Sequence, residues 1–245
     1  HPTTQSALKT LQSYGNILIP AAFGELASGL VGMGRMAEPD EIVNTVENHI
    51  LARLPLCGKK ILITAGPTYE AIDPVRFIGN YASGKMGFEL ANSAANKGAE
   101  VILVSGPTHC KIDSNRVSTH AVFTAKEMYK VVHQHFSSVD AAILSAAVAD
   151  YRPKKTALSK IKKTSESLLL ELEKTEDILA SLGAVKAHQF LVGFALETDD
   201  EEANAIKKLK SKNLDLIVLN SLKDFGACFG VPTNKITIID KDLNQ

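Results

Sequence analysis

From Gly58 to the C-terminus, short apolar runs rich in Val, Ile and Leu alternate with amphipathic stretches of helical period. The runs predict strands at Lys60–Thr64, Glu100–Ser105, Ala121–Thr124, Ala141–Ala147, Phe190–Phe194 and Leu214–Leu219. Between them the pattern predicts helices at Gly84–Lys97, Ala125–Phe136, Glu176–Lys186 and Asp200–Lys212. In the first helix Met86, Leu90 and Ala94 recur at i, i+4 and i+8, which marks a core-facing stripe, and Gly98 follows as a C′ stop. Strands that are apolar without alternation are buried on both sides. Strand–helix alternation therefore predicts an α/β fold, a Rossmann-like parallel sheet with helices on both faces. Leu168–Leu172 and a late run, Lys235–Asp240, break the rhythm and predict a small antiparallel extension.

Residues 1–57 have another style. Gly24 to Pro39 is a glycine-punctuated stretch predicted as a loop, Asp40–Leu51 is predicted helical, and Pro55–Lys59 reads as a linker. A piece this short builds no core of its own, so the expected domains are 1–57, the tail of an upstream domain, and 58–245. The His1-Pro2 start is not a natural initiator, and the chain is expected to be a fragment or a processed product.

Composition narrows the class. Of 245 residues, 27 are basic and 27 acidic, so no global field recruits nucleic acid or a membrane, and any basic site is local. No apolar run reaches the roughly 18 residues of a membrane span. Cys57, Cys110 and Cys228 form no C-x-x-C pair, which argues against a disulfide framework or structural zinc and fits a reducing cytoplasm. His133 and His135, the one close histidine pair, do not share a helix face.

The candidate chemistry starts at the first strand, which ends in Gly66-Pro67. The next helix opens only at Ser83-Gly84-Lys85, after roughly 18 residues of loop against the usual 2–6 of a βα connection. A strand end facing a helix N-terminus, with a Ser N-cap, bare N–H groups and a lysine, predicts an anion site under a lid or substrate arm. Gly79 to Met86 matches G-x-x-x-x-G-K, but Met86 stands where a P-loop needs a hydroxyl for magnesium. No G-x-G-x-x-G follows the strand, so the dinucleotide fingerprint is absent. A second cluster, Ala146 to Pro153, ends an apolar strand in Asp150-Tyr151-Arg152-Pro153 at the edge where open α/β sheets bind ligands. Asp150 reads either as a turn or cap residue or as a ligand contact. Lys160-Ile161-Lys162-Lys163 reads either as a solvated face or as part of an anion site, and so do Lys208 and Lys212 at i,i+4 on the last helix. Lysines near several strand and helix ends of a neutral chain suit a polyanionic small molecule such as a nucleoside triphosphate. Nucleic acid fits less well, since there is no basic–aromatic interleaving and no tryptophan.

The run Ile63 to Thr68, then Asp73-Pro74-Val75-Arg76, Asn80 and Ser83 to Gly87, resembles the ligase half of the bacterial bifunctional coenzyme A biosynthesis flavoproteins. These join a phosphopantothenoylcysteine decarboxylase to a phosphopantothenate–cysteine ligase. The likeness continues through Ala146–Pro153, Lys160–Lys163, Gly193–Thr198 and Lys212–Asp215. It implies a CTP-dependent ligation of 4′-phosphopantothenate to cysteine through an acyl-cytidylate, with Mg2+ bridging the phosphates. It also implies Asn80 and Lys160 as catalytic residues, Asn80 holding the acyl-cytidylate. Ala146, Ala147, Asp150, Asp177 and Phe194 are then contacts to CTP, and Lys160, Lys208 and Lys212 contacts to its triphosphate. Gly66, Arg76, Ser83, Gly84 and Lys85 are the substrate or phosphate loop. A homodimer through the ligase domain, and a higher assembly with the decarboxylase domain, follow from the same likeness. FMN belongs to the decarboxylase domain, whose flavin-binding bulk is expected to be absent here. Ser28, between Ala27 and Gly29, stands where the decarboxylases carry a proton-donating cysteine, so decarboxylation is expected to be absent as well. The family usually extends beyond Gln245, so a C-terminal truncation is expected.

Overall fold

The computed structural model describes residues 1–163, 167–197, 199–221 and 234–244. Cys228 and Thr198, the last residue of the Gly193–Thr198 motif, lie outside the described residues. The chain divides into two compact units, His1–Pro55 and Leu56–Gln245.

In the first unit α1 (Pro2–Ser13) precedes β1 (Ala22–Glu25), β2 (Val31–Arg35) and α2 (Pro39–Leu51). The stretch predicted as a loop is an antiparallel hairpin, with Gly24 opposite Gly32 and Phe23 opposite Met33. Glycines have no side chains to display the period-two alternation, which hid the strands. Neither helix buries a residue, and among residues 1–55 only Ala37 is buried.

The second unit runs β3 (Lys60–Ala65), β4 (Tyr69–Ala71), β5 (Phe77–Gly79), α3 (Lys85–Asn96), β6 (Glu100–Ser105), β7 (Val117–Ala121) and α4 (Ala125–Phe136). It continues with β8 (Ala141–Leu144), β9 (Tyr151–Pro153), β10 (Leu172–Lys174), α5 (Ile178–Val185), β11 (Phe190–Glu197), α6 (Glu201–Ser211), β12 (Leu216–Ser221) and β13 (Ile236–Asp240). Seven strands form one sheet in the order β13-β12-β11-β8-β3-β6-β7, all parallel except β13, which adds antiparallel to β12. The chain leaves β3 towards β6 and β7, then crosses back to β8 on the other side of β3. The sheet therefore reverses its winding between β3 and β8, where α/β sheets bind ligands.

Alternate residues of β3 feed two cores. Ile61, Ile63 and Ala65 pack with Phe88, Ala91, Ala94 and Ala95 of α3. Leu62 joins Met128 and Val132 of α4, Leu182 of α5 and Leu209 of α6. The stripe α3 buries is thus Gly87, Phe88, Ala91 and Ala94–Ala95, not the predicted Met86–Leu90 line. Small size decides it: a Cβ on Gly87 would lie 2.5 Å from the Ala65 Cβ and 2.8 Å from Ser145 Oγ, so the helix seats directly on the strand end. The helix starts from Gly84 at φ +85, a left-handed N-cap that a residue bearing Cβ adopts only at a cost. The predicted cap, Ser83, instead accepts from the Lys85 N–H at 3.3 Å through Oγ. The strand predicted at Ala121–Thr124 lies earlier, at Val117–Ala121, because Thr124 is spent as the N-cap of α4 in a capping box with Glu127. Ser118 and Thr119 masked this edge strand. Of the predicted antiparallel extension, β10 pairs with β9 in a separate ribbon, while β13 edges the main sheet.

Beyond its strand ends the switch point is tied by two buried threonines. Thr64 Oγ1 accepts from the Ala146 N–H at 3.1 Å, and Thr68 Oγ1 from the Ala149 N–H at 2.9 Å. The Ala147 N–H donates to the Gly66 carbonyl at 2.9 Å. The long loop after Gly66 is no open coil, since β4 and β5 pair as a hairpin. At its tip the buried Asp73 accepts from the backbone N–H groups of Val75 and Arg76 and from Arg76 Nε at 3.0 Å. Asp73 also accepts from the Ile161 N–H at 3.1 Å, and Arg76 Nη2 donates to the Ile161 carbonyl at 2.8 Å. The pair clasps the basic segment by its backbone.

Two expectations follow. Gly87→Ala should cost about 1–3 kcal/mol by overpacking the α3–β3 contact, read as a lower denaturation midpoint at unchanged m. The Arg76 hydrogen bonds, with the backbone N–H groups, overcome burial and hold the Asp73 carboxyl far below the ordinary carboxylate range. A depressed folded-state value contributes stability that is present above the unfolded value and is lost as acid drives the pH down towards the folded one. Asp73→Asn should therefore be less stable than the parent at neutral pH, with the gap closing in acid denaturation between about pH 4 and pH 2. A gap constant with pH would refute the assignment.

Candidate functional site

A cavity of about 520 Å³ opens at the carboxyl ends of β3, β8 and β11. Its apolar wall comes from Met128, Leu144, Ile178, Leu179 and Phe194, which suits a flat ring. Thr64, Ala146 and Ala147 contribute the turn at the switch point, and Asp150 follows. The alanines carry nothing beyond Cβ, so a ligand can reach the backbone closely there. The turn is held from behind, since Asn80 Nδ2 donates to the Ala147 carbonyl at 3.0 Å and the Thr68 N–H to the same oxygen at 3.3 Å. On the facing side Thr175 zips β10 to the turn: its N–H donates to the Asp150 carbonyl at 3.0 Å and its Oγ1 to the Ala149 carbonyl at 2.7 Å.

The charge comes from α6. Lys208 Nζ donates to the Phe194 carbonyl at 2.8 Å, and Lys212 Nζ lies 2.7 Å from Asp177 Oδ2. Asp177 is also the N-cap of α5, with Oδ1 accepting from the Ala180 N–H at 2.9 Å. Burial pushes its carboxyl up. The Lys212 hydrogen bond, the Ala180 N–H and the charges of Lys212 and Lys208 outweigh that, and its pKa lies below the ordinary carboxylate value. Asp177 is therefore a carboxylate at neutral pH.

Among the residues singled out by sequence, Ala146, Ala147, Asp150, Asp177, Phe194, Lys208 and Lys212 meet in this cavity. Asn80 reaches it through the Ala147 carbonyl. Gly66, Ser83, Gly84 and Lys85 stand apart at the α3 N-terminus, where a Cβ on Gly84 would lie 3.2 Å from the Gly66 Cα, and none of them lines the cavity. Arg76 sits at the tip of the β4–β5 hairpin, where its guanidinium is engaged by Asp73 and the Ile161 carbonyl. Lys160 is exposed and is not among the cavity-lining residues. Ser28 is exposed at the turn between β1 and β2. Sequence reasoning missed Lys174 and Glu176 on the cavity wall, although a polar run ending in a helix-capping Asp is a legible sign of a strand-to-helix corner. Among the described residues no cluster of three or more His, Cys, Asp or Glu is placed to hold a metal, and no helix is long and apolar enough to cross a membrane.

The profile of the DNA/pantothenate metabolism flavoprotein C-terminal domain matches residues 56–245. A protein named cysteine/cysteine sulfinic acid decarboxylase, from an unknown prokaryotic organism, is 54% identical over 249 residues, covering 100% of this chain and 69% of that protein. The coenzyme A biosynthesis bifunctional protein CoaBC of Bacillus subtilis (strain 168) is 46% identical over 244 residues. That match covers 99% of this chain and 60% of the relative, so the chain spans about 60% of its length. The crystal structure of the C-terminal domain of a coenzyme A biosynthesis bifunctional protein CoaBC aligns with a TM-score of 0.65 at 48% identity, covering 77% of this chain and 85% of that one. Through residues 56–245, the chain belongs to the DNA/pantothenate metabolism flavoprotein family.

Proposed function

We propose that residues 56–245 form a phosphopantothenate–cysteine ligase of coenzyme A biosynthesis that works in the cytoplasm and uses CTP. The supporting observation is the meeting of Lys208, Lys212, Ala146, Ala147, Asp150 and Phe194 in one cavity at the switch point of a parallel sheet. The carboxylate of 4′-phosphopantothenate attacks the α-phosphorus of CTP, and the bond to the β-phosphate oxygen breaks, releasing pyrophosphate and leaving an acyl-cytidylate. The amine of cysteine then attacks the acyl carbon, losing a proton, and CMP departs. The α6 lysines neutralise charge growing on the leaving pyrophosphate. The apolar wall and the Ala146–Ala147 turn take the base, and Asp150 accepts from a ribose hydroxyl or the cytosine amino group. Asn80, whose amide donates to the turn carbonyl while its oxygen can accept, is in this reading the residue that holds the acyl-cytidylate.

A magnesium ion carried on the phosphates fits the cavity, which presents Asp150 and Glu176 as hard oxygen donors. It would screen the phosphate charge. Flavin chemistry, which the sequence resemblance assigns to a preceding decarboxylase domain, has no part in either step. The homodimer belongs to the same reading and is checked by light scattering.

Incubation with 4′-phosphopantothenate, cysteine, CTP and magnesium should release pyrophosphate and CMP and yield the amide, seen by mass spectrometry. Equal turnover with ATP, or no amide from folded protein, would refute the reading. Asn80→Ala should release pyrophosphate yet form little amide. Lys208→Gln should lower the first step by on the order of 10²–10³. Lys160→Gln is the informative contrast, because full activity there returns the exposed lysine run to a solvated face.

A further inference from the structure

The cavity carries its own anion. Lys212 is paired with Asp177 at 2.7 Å, and its helical neighbour Lys208 donates to the Phe194 carbonyl at 2.8 Å. The two partners of the ion pair are anchored differently. Asp177 is pinned because its second oxygen caps α5 through the Ala180 N–H. Lys212 rides on a flexible four-carbon stem at the end of α6. The Asp177 side chain is 51% exposed and that of Lys212 22%, so an anion from solvent can reach the pair. A carboxylate fixed on the wall also repels phosphate itself, which argues against Asp177 as a direct phosphate contact.

We propose that Asp177 is a built-in counter-ion that competes with polyphosphate for Lys212. It keeps the ammonium placed between turnovers, yields it to an incoming triphosphate and reclaims it as pyrophosphate leaves. Which nucleotide arrives rests on the ligase reading above, but the exchange itself rests on the ion pair. Its use lies in turnover. An internal competitor weakens the hold on polyphosphate and so eases departure of the product, at the expense of affinity for the arriving nucleotide.

Asparagine caps helices as well as aspartate does, so Asp177→Asn removes the charge and keeps the α5 cap. Calorimetric titration of the full chain with inorganic pyrophosphate and magnesium, and separately with CTP and ATP, tests the exchange. Asp177→Asn should bind pyrophosphate about tenfold more tightly than the parent, the size of a partly screened charge–charge coupling. Asp177→Ala should show the same tightening together with a lower thermal midpoint from the lost cap, and Lys212→Met should bind more weakly than the parent. Unchanged or weaker binding by Asp177→Asn overturns the proposal, as does undiminished binding by Lys212→Met. Tighter pyrophosphate binding without preference for CTP over ATP supports the counter-ion and removes the ligase reading. A CTP preference with unchanged Asp177→Asn affinity does the reverse.

Discussion

Two buried hydroxyls hold the place where the sheet changes direction. Parallel strands part at a switch point and leave backbone donors that neither strand satisfies, and unpaired buried N–H groups are costly. Thr64 and Thr68 take up the Ala146 and Ala149 N–H groups, so the chain beyond β8 follows one path instead of fraying. Everything at the cavity inherits that path: the alanine turn, the carbonyl that Asn80 grips, and the position of Asp150. A threonine in a strand is usually read as a β-former. Here the hydroxyl, buried and aimed at a neighbour, shapes the wall of the cavity.

The second determinant is how little side chain lies between α3 and β3. Gly87 and Ala91 let the helix descend onto Ala65, which brings the Gly84 cap against Gly66. Two neighbouring regions result. One is an apolar, lysine-edged cavity on the β8–β11 side, and the other is a glycine-lined corner at the α3 N-terminus. Asn80 and the Gly66 carbonyl, both hydrogen-bonded to Ala147, are the short link between them.

Much of the fold was legible because long apolar runs carry their own period. β6 and α4 fall where the pattern put them, and β3 differs by one residue. What escaped was polar or small. β7 is an edge strand with Ser118 and Thr119, and the β1–β2 hairpin is built on glycines. The buried stripe of α3 is, apart from Phe88, alanine and glycine, which carry little hydrophobic signal of their own. At the site, residue type revealed which lysines sit near strand ends, but not which are already partnered. Lys212 and Arg76 look alike as cations in sequence, and only their carboxylate neighbours, one distant and one local, distinguish them.

The clasp of Asp73 on Ile161 also bears on how the molecule comes together. It links positions 88 residues apart, and the Arg76 bond to the same residue spans 85. Contacts of such separation carry a loop-closure cost that is met only after the intervening strands have drawn the ends together. β3, β6 and β8 must therefore pair before the basic segment can dock. A segment held by two such contacts is expected to dock late on a paired scaffold and to be among the first parts released when the protein opens.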